Sequence, residues 1–198
     1  MRATQNPESL IPGSGETRRI VAPNMPAKNK GIPNQMANVA QGIERMTYKS
    51  LVAVLLFVAL DARACWDQAA ARYQVNEMLL YAIARTESGL NPLAVGRNRN
   101  GSHDIGVMQI NSAWLPRLAT YGVSEQDLLE PCTNIHIGAW ILALNFQKLG
   151  YTWEAVGAYN AKSPALRRAY VERVRRNLLP TAIARGVANV PNVSPQAR

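Results

Sequence analysis

The chain has 198 residues, of which 47% are hydrophobic and 18% are charged. This length allows one domain, or one domain with tails. Lysine and arginine outnumber aspartate and glutamate by 22 to 13, and the resulting net charge of +9 favours partners that are anionic on average. The cations are scattered and no basic helix is interleaved with aromatic residues, so a solvated surface is as good an interpretation and no nucleic acid partner is predicted.

Residues 1–45 differ in composition from the rest of the chain. They contain five prolines, no aromatic residue and no amphipathic period, so they cannot bury enough apolar surface to fold alone. We interpret them as a disordered extension, or as the product of a start codon assigned too early.

Residues 46–64 predict a secretory signal peptide. Lys49 supplies the positive charge, Leu51–Leu60 the apolar core, and the Ala-Arg-Ala sequence that ends at Ala64 a cleavage site. The apolar run is short for a membrane span, although an uncleaved anchor remains an alternative. We therefore expect a periplasmic protein that touches the membrane only through this segment, if the segment is retained.

Export would place the two cysteines in an oxidising compartment. Cys65 would be the first residue after cleavage, and a bond to Cys132 would join the N-terminus to the folded region. Two alternatives remain. Lipid modification of Cys65 is disfavoured because Ala62 stands where a lipobox normally has leucine, and two free buried thiols are the other possibility.

From residue 65 to residue 179 the pattern predicts one mainly helical domain. Asn76 can cap a helix that Gly89 ends, and Leu80, Ile83 and Glu87 share one face of it, so the glutamate should point inward.

A polar stretch at residues 92–108 predicts an irregular or β-hairpin segment. A central helix should begin at Pro131 and stop at Gly150. Thr152 caps a short helix, Ser163-Pro164 opens a last one with a basic outer face, and residues 180–198 read as a flexible tail.

Glu87 is the first candidate functional residue. Burial and the negative end of the helix dipole both disfavour the ionised carboxylate, so we expect the pKa of Glu87 to be raised. A carboxylic acid that stays protonated near neutrality is what glycosidic bond cleavage needs. The alternative is a helix-end glutamate that turns to solvent or pairs with Arg97.

The residues after Glu87 offer hydrogen-bonding groups suited to the hydroxyl and acetamido groups of a sugar. Gly106 would allow close backbone approach, and Trp114 would offer a stacking surface. Together they predict one wall of a carbohydrate cleft, formed by Asn91, Arg97, Asn98, Arg99, Asn100, Ser102, His103, Asp104, Gln109 and Asn111.

Three ordered motifs, "ESGLNP", "GVMQIN" and "AYN", resemble those of the soluble lytic transglycosylase family, which cleaves peptidoglycan glycan strands. The phrases "PCTNIHIGAWIL" and "WEAVGAYNA" resemble the small exported members that accompany type III and type IV secretion, conjugation and type IV pilus systems. The resemblance covers about residues 65 to 170. It implies a lysozyme-like fold, a monomer, peptidoglycan as substrate and an envelope-spanning machine as partner.

The resemblance also implies roles for single residues. Glu87 would be the catalytic acid and then the base, Ser88 would lie beside it, and Tyr159 would hold it in place. Gln109 and Asn111 would line the donor sugar site. Two further substrate-binding candidates follow, Asp104 and Asn160.

Two other functions remain open at this point. The segment from Glu87 to Trp114 also resembles the active-site segment of C-type lysozymes, in which Asp104 would be the second catalytic carboxylate. An inactive glycan-binding scaffold is the other alternative. No cofactor and no metal are expected, because His103 and His136 are the only histidines and belong to no cluster with metal-site spacing.

Overall fold

The computed structural model describes the backbone of residues 65–184 and the side chains as far as Leu178. The predicted extension (1–45), the predicted signal (46–64) and the last residues of the predicted tail (185–198) lie outside the described residues. The described part is mainly helical with one small antiparallel sheet, as the sequence predicted.

Within residues 65–184, six helices and three short strands follow each other. In order they are α1 (65–73), α2 (Glu77–Ser88), β1 (Val95–Arg97), β2 (His103–Ile105), β3 (Ile110–Asn111), α3 (Leu115–Ala119), α4 (Pro131–Leu149), α5 (Trp153–Ala158) and α6 (Pro164–Ala184). Short 3-10 turns at Ser112–Trp114 and Gln126–Leu129 precede α3 and α4.

Helix α2 begins and ends where its capping residues predict. The Asn76 side chain accepts a hydrogen bond of 3.0 Å from the amide of Leu79, and Gly89 adopts a left-handed φ of +65° after the last turn. Glu87 lies on the buried face of the helix, whereas Arg85 is exposed. The inward orientation predicted for Glu87 is therefore confirmed.

Helix α4 forms the centre of the domain. Pro131 occupies its first turn, and every residue from Asn134 to Asn145 is buried. A disulfide between Cys65 and Cys132, with Cα atoms 5.4 Å apart, joins α1 to the start of α4. The chain-entropy model assigns such a crosslink about 4 kcal/mol of stabilisation. The predicted cysteine pairing is thus present.

The polar stretch predicted as irregular or hairpin-like contains β1 and β2. The sheet has the order β1-β2-β3, with Val95 opposite Ile105 and Asp104 opposite Asn111. This small sheet follows directly on the C-terminal end of α2, so Glu87 and the sheet are joined by only a short turn.

The last two helices pack tightly against each other. Thr152 caps α5 through its hydroxyl, which accepts from the amide of Ala155. A Cβ added at Gly157 would lie 3.1 Å from the Cα of Arg167, so only glycine allows α5 and α6 to approach this closely. Helix α6 continues to Ala184 and so includes the first residues of the segment predicted as a tail from residue 180.

Candidate active site

Glu87 is a buried carboxyl group at the junction of two helices. It lies in the last turn of α2 with 8% of its surface exposed. The hydroxyl of Tyr170, on α6, donates a hydrogen bond of 2.7 Å to its Oε1 atom. The interpretation of Glu87 as a helix-end residue turned to solvent is therefore wrong.

Tyr170 is a permanent donor at this junction. Its side chain is fully buried, and burial raises its pKa well above 10, with the charge of Glu87 adding to the increase. The hydroxyl therefore stays protonated at any physiological pH and is able to donate to Oε1. The ring of Tyr170 is also covered by the guanidinium of Arg173, whose Cζ lies 5.4 Å from the ring centroid.

A second contact fixes the same junction one residue earlier in α2. The amide nitrogen of Asn177 donates to the hydroxyl of Thr86 at 2.9 Å, and this hydroxyl donates to the carbonyl oxygen of Ala82 at 2.7 Å. This second contact between α2 and α6 lies beside the Glu87–Tyr170 contact, so the carboxyl group has a defined position.

The loop between β2 and β3 is held by side chains from three helices. From α2, the Ser88 hydroxyl donates to the carbonyl of Val107 at 2.7 Å. From α4, Asn134 accepts from the amide of Met108 at 2.7 Å, and from α5 the hydroxyl of Tyr159 donates to the Met108 carbonyl at 3.0 Å. Ser88 thus connects the turn that carries the acid to this loop.

Asn134 supports this loop from α4, and the sequence analysis did not single it out. Its amide nitrogen donates to the carbonyls of Ile105 at 2.9 Å and Leu128 at 2.7 Å, and the residue is fully buried. A Cβ added at Gly106 would collide with Asn134 and with the Leu128 carbonyl. Two features of the sequence could have indicated this contact: Asn134 is an amide within an otherwise apolar helix, and Gly106 is a glycine in a turn.

Gln109 supports the loop from within. It has a left-handed φ of +51°, and its amide nitrogen donates to the carbonyls of Ala94 at 3.0 Å and Gly106 at 2.9 Å. These bonds offset the strain that a non-glycine residue meets in this conformation. The role of Gln109 in lining the donor sugar site stays a prediction.

Asp104 is the second buried carboxylate, and 6% of its surface is exposed. Its Oδ1 accepts from the amide of Asn111 at 2.7 Å, and its Oδ2 accepts from the amide of Asn98 at 3.0 Å. The hydroxyl of Ser102 lies 3.1 to 3.2 Å from the same two amide nitrogens. Asp104 therefore acts as a brace that ties the turn between β1 and β2 to β3.

Two residues predicted to line the cleft are buried in the structure, and their contact with substrate stays a prediction. Asn111 has 1% of its surface exposed, and its side-chain oxygen accepts from the amide of Ala113 while its nitrogen serves Asp104. Trp114 is fully buried and packs edge-on against Trp140, with ring centroids 5.4 Å apart. The chemistry of both side chains suggested that they line a cleft. Sequence alone does not show which polar and aromatic side chains are buried in the core.

The roles of Tyr159 and Asn160, the last two residues of the third motif, stay predictions. The sequence assigned the support of Glu87 to Tyr159 and overlooked Tyr170, whose hydroxyl makes the hydrogen bond described above. Tyr159 is a close neighbour, since a charge on it would further raise the pKa of Tyr170. Asn160 follows at a partly exposed position, and its predicted contact with substrate remains a prediction.

The two histidines lie apart from this centre. His103 contacts Glu125 at 2.8 Å on the surface. Burial, together with the positive charge of Arg72, lowers the pKa of His136 below its ordinary value. Among the residues that the structure describes, no group of three or more His, Cys, Asp or Glu side chains could hold a metal ion.

No helix within residues 65–184 is both long enough and apolar enough to cross a bilayer.

Comparison with known proteins agrees with this geometry. The family model described as "Transglycosylase SLT domain" matches residues 64–177. "Invasion protein IagB" of Salmonella typhimurium is 43% identical over 138 residues, which cover 67% of this chain and 86% of that protein. "Protein IpgF" of Shigella flexneri is 44% identical over 132 residues, covering 64% of this chain and 87% of IpgF.

A solved structure resembles the same part of the chain. It is an inactive mutant of the lytic transglycosylase Slt from Pseudomonas aeruginosa, with a TM-score of 0.54 and 21% identity. The match covers 65% of this chain but 25% of the length of Slt, so it shows the fold alone. The family match spans the acid, the loop that Ser88 holds and the helix that carries Tyr170, and on that ground the chain belongs to the transglycosylase SLT domain family.

Proposed function

We propose that this protein is a peptidoglycan lytic transglycosylase that cleaves the β-1,4 bond between N-acetylmuramic acid and N-acetylglucosamine. The observation that carries the proposal is the position of Glu87. In a chain of the transglycosylase family, this carboxyl group is buried at a helix junction and held by the hydroxyl of Tyr170. Burial favours the protonated form of a carboxyl group, which is the form that a general acid requires.

The reaction needs one group that first gives and then takes a proton. Glu87 protonates the glycosidic oxygen while positive charge develops at the anomeric carbon of the muramic acid. The resulting carboxylate then removes the proton from the C6 hydroxyl of the same sugar. The C6 oxygen bonds to the anomeric carbon and closes a 1,6-anhydro ring, so water does not take part. Since nucleophile and cation belong to one sugar ring, the attack has a high effective concentration.

The surroundings of Asp104 favour this route over hydrolysis. A retaining hydrolase uses a second carboxylate roughly 5 Å from the acid to stabilise or trap the sugar cation. Both oxygens of Asp104 accept hydrogen bonds from side-chain amides, and 6% of the residue is exposed. The carboxylate of Asp104 thus forms hydrogen bonds within the hairpin. A hydrolysing lysozyme, or an inactive scaffold that only binds glycan, would require a different result in the experiment below.

The cellular role that we propose is local opening of the cell wall for an envelope-spanning secretion, conjugation or pilus apparatus. The signal peptide predicted at residues 46–64 would deliver the enzyme to the periplasm, where its substrate lies. The similarity to "Invasion protein IagB" and "Protein IpgF" supports this role. We include components of such an apparatus in the proposal as binding partners of this protein.

Digestion of purified sacculi tests the chemistry. The released muropeptides should carry 1,6-anhydromuramic acid ends, which mass spectrometry identifies because each is lighter by one water than a reducing end. A product with mainly reducing ends would mean that the protein is a hydrolase. Sacculi that stay intact under the same conditions would favour the inactive scaffold.

A further inference from the structure

Helix α6 carries five arginines and one glutamate, and these charges are not equivalent. Arg167 pairs with Glu154 of α5. Arg175 pairs with Glu172 at 3.2 Å, and its guanidinium stacks over Trp153 at 4.4 Å from the ring centroid. The other three arginines are exposed and form no ion pair with the described residues: Arg168, Arg173 and Arg176.

The exposed arginines lie on two edges of the helix. With about 100° between successive residues, Arg173 lies about 60° from the buried Tyr170 around the helix axis, and Arg176, one turn further along the same edge, lies about 120° from it. Arg168 projects on the opposite edge, beside Arg175. We call Arg173 and Arg176 the acid-side arginines, because Tyr170 contacts Glu87.

A direct contact places Arg173 next to the active site. The guanidinium of Arg173 lies over the ring of Tyr170, with Cζ 5.4 Å from the centroid, and the Tyr170 hydroxyl binds Glu87. Arg176 is the exposed arginine one turn further along the same edge of α6. Arg173 therefore borders the helix junction that holds the acid, and Arg176 extends the positive charge along the helix from there.

We propose that the acid-side arginines bind carboxylate groups of the peptides attached to the glycan strand. This inference rests on the proposed function and specifies its substrate. The peptide of peptidoglycan is joined to the lactyl group of the muramic acid, which is the sugar whose bond is cleaved. Its glutamate and its C-terminal residue carry free carboxylates, and a guanidinium can bind a carboxylate through two parallel hydrogen bonds. Charge and position thus match this ligand.

A membrane surface fits the same helix less well. A helix that lies on a bilayer presents an apolar face to the lipid. The apolar face of α6 is instead buried in the domain, with Tyr170, Val171, Val174 and Leu178 in the core. On the described part of α6, Leu166 is the one large hydrophobic residue that is exposed.

The test compares two synthetic glycan oligomers with the same sugars and the same peptides. In one the peptide carboxylates are free, and in the other they are amidated, so only the charge differs. At low salt the full chain should cleave the free-carboxylate oligomer with a kcat/KM roughly threefold to tenfold higher, as expected for two exposed ion pairs. This preference should fade as salt screens the charges.

Variants locate the effect. The double variant Arg173→Gln/Arg176→Gln should bring the ratio of the two kcat/KM values close to one. Arg176→Gln alone should lower the ratio partly, and it does so without altering the stacking on Tyr170. The matched control is Arg168→Gln, an exposed and unpaired arginine on the other edge of the same helix, which should keep the wild-type ratio. An effect transmitted through Tyr170 would instead slow cleavage of both oligomers equally.

Three outcomes would overturn the inference. Equal cleavage of the two oligomers by the wild type would show that the protein does not recognise the charge of the peptide carboxylates. A preference that Arg168→Gln reduces as much as the double variant would show a general charge effect. Equal cleavage of the two oligomers, combined with binding to phosphatidylglycerol vesicles that depends on the acid-side arginines, would mean that these arginines bind a membrane surface. If neither oligomer is cleaved, the proposed function itself fails and the inference falls with it.

Discussion

Glu87 and Asp104 are buried to nearly the same degree, 8% and 6% exposed, yet their neighbours differ in kind. Asp104 is served by side-chain amides from residues six and seven positions away in its own hairpin. Glu87 is served by a phenol 83 residues away, on another helix. The aspartate thus belongs to a locally built brace, and the glutamate to a site that exists only when the whole domain is folded. Burial alone therefore does not distinguish the two carboxylates, but their hydrogen-bond partners do.

The largest difference between the two carboxylates should appear when the carboxylic acid of Glu87 is removed. Glu87→Gln keeps the size and the acceptor of the side chain, so the protein should fold and bind glycan. Cleavage should fall by about 10²- to 10⁴-fold, since general acid catalysis contributes that much. Turnover of sacculi and binding to them are measured side by side. A variant that keeps more than a few per cent of wild-type turnover would remove Glu87 from its role.

The next largest effect should come from the donor on the acid. Tyr170→Phe removes a hydrogen bond to a group that becomes charged, worth about 1.5–3 kcal/mol, so kcat should fall by roughly tenfold or more. Because the hydroxyl stabilises the ionised carboxylate, its loss should keep Glu87 protonated at higher pH. The alkaline limb of the pH–rate profile should therefore move to higher pH.

The control for Tyr170 is its buried neighbour. Tyr159→Phe removes a hydroxyl that donates to the Met108 carbonyl, so it should cost stability and leave the alkaline limb where it is. If Tyr159→Phe moves that limb and Tyr170→Phe does not, the original assignment of the supporting role to Tyr159 would be right after all.

The same comparison explains what could be predicted from the sequence. The inward face of Glu87, the caps at Asn76 and Gly89 and the central helix from Pro131 all follow from spacing within one element, and the structure confirms them. Local rules suffice because the positions of side chains around one helix are fixed by its period.

These local rules do not predict contacts between elements that are distant in the sequence. The sequence analysis assigned no role to Tyr170 or Asn134, and their contacts appear only in the structure. Their partners lie on other elements, and no local pattern shows which side chain will be opposite. The burial of Trp114 was not predicted for the same reason: whether an aromatic ring faces a cleft or the core depends on the packing of α3 and α4.

Asp104→Asn sharpens the comparison at the hairpin. The new amide would face the amide nitrogens of Asn98 and Asn111, so at least one donor would lose its acceptor. We expect the free energy of unfolding to fall by about 1–3 kcal/mol, measured by urea denaturation, while activity stays measurable. A variant as inactive as Glu87→Gln, from a wild type that produces reducing ends, would make Asp104 the second catalytic carboxylate of a lysozyme.

The smallest effect, and the most specific for the brace, should come from Ser102→Ala. The Ser102 hydroxyl accepts from both amides that serve Asp104, so its loss should cost about 1 kcal/mol of stability and leave turnover nearly unchanged. Ser124→Ala, which removes a surface hydroxyl bound to Asp127, is the matched control. Combined with Asp104→Asn, Ser102→Ala should be non-additive, because the two residues share their amide partners, whereas Ser124→Ala should add independently. Additive losses in both double variants would mean that the hairpin contacts form no network.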